Sequence, residues 1–427
     1  MRPPFIILTI LTVLLSHPCV AEGVRLQGAS PATSGDKTYA FMDIPVGTDS
    51  ATVGTLGLEV ENFSFFKDNE FSGEQSKGYS LPGFWLQPRL TYQPLESVRL
   101  EAGFHAAVFD GANKYPCYAY HDIGMWKGNQ YQRGAHVLPF FRATARLGVC
   151  TFVLGDLYGG VRHGLVEPLL NPEVDLTQDP EMGFQVKLQL PRYRMDAWVN
   201  WQSYIFEEDT HQEAFTVGLS QQVWLTPPAA AYHWYIPVNV VAQHRGGEQD
   251  VTDMGVQTLC NAAAGLGLRW NAGLRVLDAL NVEAVGLLAY QQSGQLWPFD
   301  TGGGASVSVR ADLRQNIRVY GGVTYVKDFV SLYGVPFYST VSQKSGGRFE
   351  DMLSPHVGVE WSHTFAQQYV LGAKLDAYLS RAGRLSYIDT DVHTGQPALM
   401  SEPAAFSNNF SFGVYFRCCP RFVLWRK

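Results

Sequence analysis

Residues 82–110 alternate between apolar and polar side chains, and this two-residue period constrains the fold more than any other feature of the sequence. Near its start, Phe84 and Leu86 alternate with Trp85 and Gln87. A period of two is typical of a β-strand, because successive side chains point to opposite sides of the chain. After a short polar link the pattern repeats, so the stretch predicts a β-hairpin.

The same pattern recurs along the chain and predicts sixteen strands. These lie at 52–66, 82–93, 97–110, 136–147, 149–159, 182–190, 193–206, 212–224, 231–243, 256–270, 275–290, 303–313, 316–327, 355–364, 367–381 and 406–417. Short connections alternate with mostly long ones, as in outer-membrane barrels with short periplasmic turns and long extracellular loops. We therefore predict an all-β chain that forms a single closed antiparallel transmembrane β-barrel of about sixteen strands.

Closure of the barrel determines that the apolar faces of the strands point outward, toward lipid. A barrel has no free edge and satisfies every backbone polar group internally, which a lipid environment requires. Leu371 and Leu375 would then face lipid, with Lys374 and Asp376 inside. The alternative is a β protein whose apolar faces meet in a core, but few segments carry the second apolar face that a wrapped core needs. Charged residues make up only 17% of the chain, below the quarter or so that is usual for soluble domains.

The amino terminus has the features of a secretory signal peptide. Arg2 precedes the apolar run 5–15, and the small-residue site Cys19-Val20-Ala21 follows, which predicts cleavage after Ala21. Lipoprotein processing at Cys19 is the alternative, and Pro18 disfavours it. The predicted organisation is a signal peptide (1–21), a periplasmic lead-in (22–51), the barrel (52–417) and a tail (418–427).

Charge and cysteine content narrow the function. Removing Arg2 from the 32 basic residues leaves 31 against 39 acidic residues, a net charge of −8, which does not favour binding to nucleic acid. The remaining cysteines have no disulfide or metal-site spacing: Cys117, Cys150, Cys260, Cys418 and Cys419. We predict no metal and no cofactor.

The segment Tyr39–Val46 carries a Tyr-x-Phe-x-x-x-Pro-Val pattern, followed by Ala51 and Gly54. It resembles the entry segment of barrels of the Bacteroidota outer membrane, including barrel components of the type IX secretion system. The resemblance implies a Gram-negative outer-membrane location.

The last predicted strand alternates Phe410, Phe412, Val414 and Phe416 with polar residues. It resembles the carboxyl-terminal signal that the barrel-assembly machinery recognises, although residues 418–427 follow it here. The resemblance implies that this machinery is a partner of the chain.

A barrel of sixteen strands is wide enough for a water-filled channel. Charged side chains on the inner faces are the predicted pore lining. They are Arg89, Arg99, Glu101, Arg142, Arg146, Lys187, Arg194, Asp196, Glu283, Arg310, Asp312, Arg318, Glu360, Lys374 and Asp376. Ion pairs that stiffen the wall are one interpretation, and a transverse field acting on solutes at a constriction is the other.

The loop 160–181 is the predicted constriction, because its apolar residues would be out of place on a solvated loop. It resembles the third outer loop that narrows general porins. Its candidate site residues are Arg162, His163, Glu167, Glu173, Asp175, Asp179 and Glu181. An external lid is the alternative.

Catalytic motifs are missing from the sequence. A hydrolase of this kind needs a hydroxyl and a histidine within hydrogen-bond reach, with an orienting partner. His363 is adjacent to Ser362 in sequence, but neighbours on a strand face opposite sides. We therefore expect no enzymatic activity.

The predicted function is a porin-like channel in the outer membrane that passes small hydrophilic solutes by diffusion. A non-conducting scaffold or secretion-system component is one alternative, and a barrel lipid hydrolase is another. The expected partners are outer-membrane lipid and the solutes, and the analogy with porins implies a homotrimer.

Overall fold

The computed structural model describes residues 52–111, 134–158, 163–206, 211–247, 255–365, 369–390 and 396–427, all within one compact unit. The predicted signal peptide and lead-in, the Tyr39–Val46 segment and Arg162 lie outside the described residues. No helix in the described ranges is long and apolar enough to cross a membrane.

Every predicted strand is present, with its bounds moved by a few residues. The strands are β1 (Thr55–Phe71), β2 (Tyr79–Leu95), β3 (Val98–Phe109), β4 (Gly134–Leu147), β5 (Cys150–Asp156), β6 (Met182–Leu190), β7 (Tyr193–Ser203), β8 (Ala214–Trp224), β9 (Tyr232–Arg245), β10 (Gln257–Trp270), β11 (Leu277–Ser293), β12 (Thr301–Leu313), β13 (Ile317–Lys327), β14 (Arg348–Phe349), β15 (Met352–Phe365), β16 (Tyr369–Ser380), β17 (Arg384–Thr390), β18 (Pro397–Pro403), β19 (Ser407–Cys418) and β20 (Arg421–Arg426).

The strand pairing closes a barrel. From β1 to β13 each strand pairs antiparallel with the next, and β13, β15, β16 and β19 continue the series. β19 then pairs with β1, with Phe65 opposite Tyr415. The predicted fold, a closed antiparallel barrel of sixteen strands, is confirmed. β14, β17 and β18 form a separate three-stranded sheet in the long connections.

The final strand position is shared by two strands. β20 pairs with the first part of β1, where Leu58 lies opposite Phe422, while β19 pairs with the rest. Residues 418–427, expected as a tail, therefore contain a strand of the barrel wall.

Exposure alternates along the strands as closure requires. Leu375 is 47% exposed on the outer face, whereas Asp376 beside it is 3% exposed on the inner face. The barrel has a short-turn end, where β15 and β16 are joined for example, and a long-loop end, where β5 is joined to β6.

The connection between β5 and β6 crosses the interior. It contains a 3-10 turn (Glu167–Leu169) and helix α1 (Val174–Thr177). The Val166 amide donates to Asn239 of β9 at 3.0 Å, and the Glu173 carboxylate accepts from Asn69 of β1 at 3.0 Å. β1 and β9 lie on opposite sides of a sixteen-strand wall, so the loop spans the lumen.

The connection between β13 and β15 enters the lumen as well. Asn261 on the inner face of β10 donates to the Val330 carbonyl at 2.8 Å and accepts from the Leu332 amide at 2.7 Å. The two loops meet where the Ser331 hydroxyl donates to the Pro168 carbonyl at 2.7 Å. Their buried apolar side chains form one cluster with the wall. Together the inward loops, 163–181 and 329–347, occupy the long-loop part of the lumen.

Candidate functional site

The inner wall near the short-turn end carries a buried ion cluster around Arg89. The guanidinium lies 3.0 Å from Glu59, 3.0 Å from Glu61 and 3.1 Å from Glu101, and it is 2% exposed. Burying one guanidinium among several carboxylates is tolerable only when hydrogen bonds replace the lost hydration. The ion pairs therefore stiffen this part of the wall.

The other predicted pore-lining residues lie on the inner face, and most of them are in ion pairs or hydrogen bonds. The contacts are Arg99–Glu59 at 2.9 Å, Arg142–Glu101 at 3.5 Å, Lys187–Asp196 at 3.5 Å, Arg318–Asp312 at 2.8 Å, Lys374–Asp376 at 3.1 Å, Tyr235–Glu283 at 2.9 Å and Tyr415–Glu360 at 2.7 Å. Arg194 and Arg310 are half-buried, and Arg146 is exposed near the short-turn end. Whether any of them lines a conducting pore stays a prediction.

His163 anchors the first inward loop. Its Nδ1 lies 3.1 Å from Asp196 and its Nε2 2.5 Å from Glu181, and the ring stacks on Trp198 with centroids 3.8 Å apart. Burial by itself would lower the pKa of His163, but Asp196 and Glu181 outweigh it and raise the pKa to about 9. Gly218 makes this stack possible, since a Cβ there would lie 2.0 Å from Trp198. Both ring nitrogens are occupied, so His163 acts as a charged anchor.

The remaining residues predicted in the constriction loop hold it to the wall. The Glu173 carboxylate accepts hydrogen bonds from Lys67 and Tyr79, and the Asp175 carbonyl accepts one from Trp85. Asp179 is half-buried. The described part of the loop lies inside the barrel, while its role as a constriction stays a prediction.

Glu167, Tyr338 and His356 meet where the two inward loops approach the wall. The Tyr338 hydroxyl donates to Glu167 at 3.0 Å and lies 3.3 Å from His356 Nδ1. His356 Nε2 is 3.0 Å from Glu167, without the alignment of a hydrogen bond. Burial and the Glu167 charge raise the pKa of Tyr338 well above its usual range. The cluster therefore joins the inward loops to β15.

A hydroxyl–imidazole pair lies on the outer face of the barrel at its long-loop end. His244 Nδ1 is 2.8 Å from Thr258 Oγ1, and His244 Nε2 is 3.0 Å from the Gly246 carbonyl. A carbonyl oxygen can only accept, so Nε2 must carry a proton. In neutral His244 the Nδ1 lone pair then accepts the proton of Thr258. A hydroxyl, an imidazole nitrogen that accepts its proton and a group that orients the ring is an arrangement that can support nucleophilic catalysis.

The sequence alone did not reveal this pair. His244 and Thr258 sit opposite each other across β9 and β10, but the predicted strand ended at residue 243. The predicted strand bounds did not give the register that places the two residues opposite each other. As expected from the sequence, Ser362 is buried on the inner face and His363 is exposed on the outer face.

The side chains that could in principle bind a metal do not cluster in the described residues. No group of three or more His, Cys, Asp or Glu side chains in the described part of the chain is arranged to hold a metal ion.

Comparison with models of protein families identifies the family to which the chain belongs. The family model described as "Lipid A 3'-O-deacylase-type" matches residues 48–427, most of the 427-residue chain. The chain belongs to this lipid A 3'-O-deacylase-type family. The expectation that the protein is not an enzyme is therefore wrong, because the family is one of deacylases. Sequence motifs do not show which side chains strand pairing brings together.

Solved structures similar to this chain share little sequence identity with it. OccAB4 of Acinetobacter baumannii is 11% identical, covers 88% of this chain and 100% of its own, and has a TM-score of 0.47. OmpT of Vibrio cholerae, in its trimer form, is 11% identical, covers 84% and 99%, and has a TM-score of 0.45. OpdK of Pseudomonas aeruginosa, solved with vanillate, is 11% identical, covers 87% and 100%, and has a TM-score of 0.45. No curated protein sequence matches the chain.

Proposed function

We propose that this protein hydrolyses an acyl ester of lipid A at the outer leaflet of a Gram-negative outer membrane, with Thr258 as the nucleophile and His244 as the base. The observation that carries the proposal is the contact of the Thr258 hydroxyl with the nitrogen of His244 that has no proton to donate. The family match supports the reaction class, which is hydrolysis of an ester on a sugar hydroxyl.

The position of the pair suits a lipid substrate. His244 and Thr258 are half-buried on the lipid-facing side, just beyond the outward Val240 and Tyr290, which are both exposed. Aromatic rings at this height are typical of the boundary between acyl chains and headgroups in membrane barrels. The ester bonds of a lipid lie at the same boundary. A substrate in the outer leaflet could therefore reach Thr258 without entering the lumen.

The proposed reaction has two steps. Thr258 Oγ1 bonds to the ester carbonyl carbon as its proton passes to His244 Nδ1. The tetrahedral intermediate then releases the sugar hydroxyl, which takes that proton, and leaves an acyl-threonine. Water attacks this second ester, gives one proton to His244, and releases a fatty acid as Thr258 regains its hydrogen. The Gly246 carbonyl holds the ring throughout and stabilises the imidazolium.

The test is release of fatty acid from lipid A in detergent micelles by the purified full-length protein, followed by mass spectrometry. We expect Thr258→Val and His244→Gln to lower kcat by about 100-fold or more, since both remove the proton transfer. Thr258→Ser keeps a hydroxyl and should retain activity. His363→Gln is the matched control, because His363 is an outward histidine packed on aromatic rings at the opposite end of the barrel.

Wild-type protein that releases no fatty acid would contradict the proposed activity. Full activity of folded Thr258→Val would instead contradict the role of Thr258 and leave the activity itself standing.

Solute diffusion through the lumen is the second candidate, and the charged inner wall around Arg89 favours it. The inward loops oppose it, since they span the lumen between opposite walls. A scaffold role, the barrel-assembly machinery as a partner, a homotrimer and a Bacteroidota origin stay predictions from the sequence.

A further inference from the structure

The catalytic pair belongs to a longer line of side chains on the outer face. Strand register places Trp201 of β7 opposite Phe215 of β8, Phe215 opposite His244 of β9, and His244 opposite Thr258 of β10. Trp201, Phe215 and the adjacent Tyr204 are called the aromatic row below. The residues of the row therefore lie side by side on neighbouring strands, and His244 separates them from the proposed nucleophile Thr258.

The rings of the aromatic row contact one another in sequence. The centroids of Trp201 and Phe215 are 5.2 Å apart, and those of Phe215 and His244 are 5.1 Å apart. Tyr204 lies flat on Trp201, with centroids 5.7 Å apart and an angle of 7° between the planes. Tyr204 follows the last residue of β7 and is 54% exposed. The indole of Trp201 therefore already stacks against a flat ring, that of Tyr204, which lies outside the strand.

The indole of Trp201 also has a polar group without a partner. Its Nε1 is buried and makes no hydrogen bond. A buried donor without an acceptor costs free energy that a suitable ligand recovers. Lipid alkyl chains carry no acceptor, whereas sugar hydroxyls and phosphates do. An aromatic ring that only anchored the barrel at the membrane boundary would be expected to turn its N–H toward water.

The dimensions suit a disaccharide headgroup. Neighbouring strands are about 4.8 Å apart, so Trp201 and Thr258 are separated by about 14 Å across three strand spacings. Two linked sugar rings cover a similar length. A headgroup lying along the row would place one ring over Trp201 and the other over Phe215 and His244, with its acyl ester at Thr258.

We propose that the aromatic row is the subsite for the glucosamine disaccharide of the glycolipid substrate, with Trp201 as the specificity-determining residue. This inference rests on the proposed function. The ring of Trp201 stacks on a sugar face in place of Tyr204, and its N–H donates to a hydroxyl or phosphate of the headgroup. Trp201 does not touch the reacting ester, so its effect is on binding and selectivity.

The test compares lipid A with p-nitrophenyl octanoate, an ester without a sugar, in the full-length protein. For Trp201→Leu we expect the ratio of kcat/KM for lipid A to that for the simple ester to fall about tenfold, mainly through KM for lipid A. Trp201→Phe keeps the stacking and loses the N–H, so its ratio should lie between the ratios of the wild type and Trp201→Leu. Trp361→Leu is the control, because Trp361 is an exposed outward tryptophan at the short-turn end.

A second measurement separates this inference from the activity itself. Binding of lipid A micelles to the Thr258→Val protein needs no turnover, and adding Trp201→Leu should weaken it about tenfold. An unchanged ratio and unchanged binding would overturn the inference, as would an equal loss with both substrates. If wild type hydrolyses neither ester but the binding loss is found, the subsite stands and the proposed reaction fails.

Discussion

Three histidines of this barrel have different hydrogen-bond partners and therefore suit different roles. His163 lies between two carboxylates and is held as a cation. His244 faces a carbonyl on one side and a hydroxyl on the other, which suits a base. His356 meets a tyrosine and a glutamate that join the inward loops. The residue type alone therefore predicts none of these roles.

The charge on His163 predicts a pH dependence of the first inward loop. The folded pKa, about 9, is above the ordinary value of 6.5, so the stabilisation is complete below about pH 6.5 and is lost as the pH rises through 9. Its upper limit is about 3 kcal/mol. Hydrogen exchange of residues 163–181, corrected for the intrinsic rate, should show less protection at pH 10 than at pH 6. His163→Gln should remove the difference, and equal protection in wild type would contradict the role.

At the scale of elements, the closing seam of the barrel is irregular. β1 pairs with β19 over one part of its length and with β20 over another, and Cys419 and Pro420 separate β19 from β20. Proline cannot donate to a strand ladder, so it fits at a break between strands. The seam therefore depends on residues beyond the expected end of the last strand.

Removal of β20 should weaken closure. We expect deletion of residues 420–427 to lower the temperature at which the barrel loses its heat-modifiable migration in electrophoresis, because β1 would lose a pairing partner over Thr55 to Glu59. Val423→Thr keeps the strand and serves as the control. An identical transition temperature for the deletion would show that β20 contributes nothing to the wall.

For the whole molecule, the inward loops decide whether the barrel can conduct. They bind opposite walls and each other, and their apolar side chains form a continuous buried cluster. We expect little or no conductance in planar bilayers. Replacing residues 331–341 by a short Gly-Ser link should produce larger steps, because it removes the segment anchored through Asn261.

An Asn261→Ala variant loses the anchor but keeps the loop. Its conductance steps should be larger than those of the wild type and smaller than those of the Gly-Ser variant. Large steady steps from the wild type would contradict the plugged lumen and restore the diffusion hypothesis.

The sequence by itself determined the sixteen main strands, the closure and the inside and outside of the wall, but not β14, β17, β18 or β20. This was possible because the face of each strand is a local property: Leu375 and Asp376 are neighbours, and their opposite exposures follow from the two-residue period. The inner-face positions of Arg89 and Glu101 followed for the same reason.

Only the tertiary structure decided what fills the barrel and where a reaction could occur. Glu173 meets Lys67 across more than a hundred residues, and Thr258 meets His244 through the register of two strands. Such contacts depend on how separate segments pack, and no local period encodes them. That is why the sequence correctly predicted the barrel and wrongly predicted the absence of an enzyme.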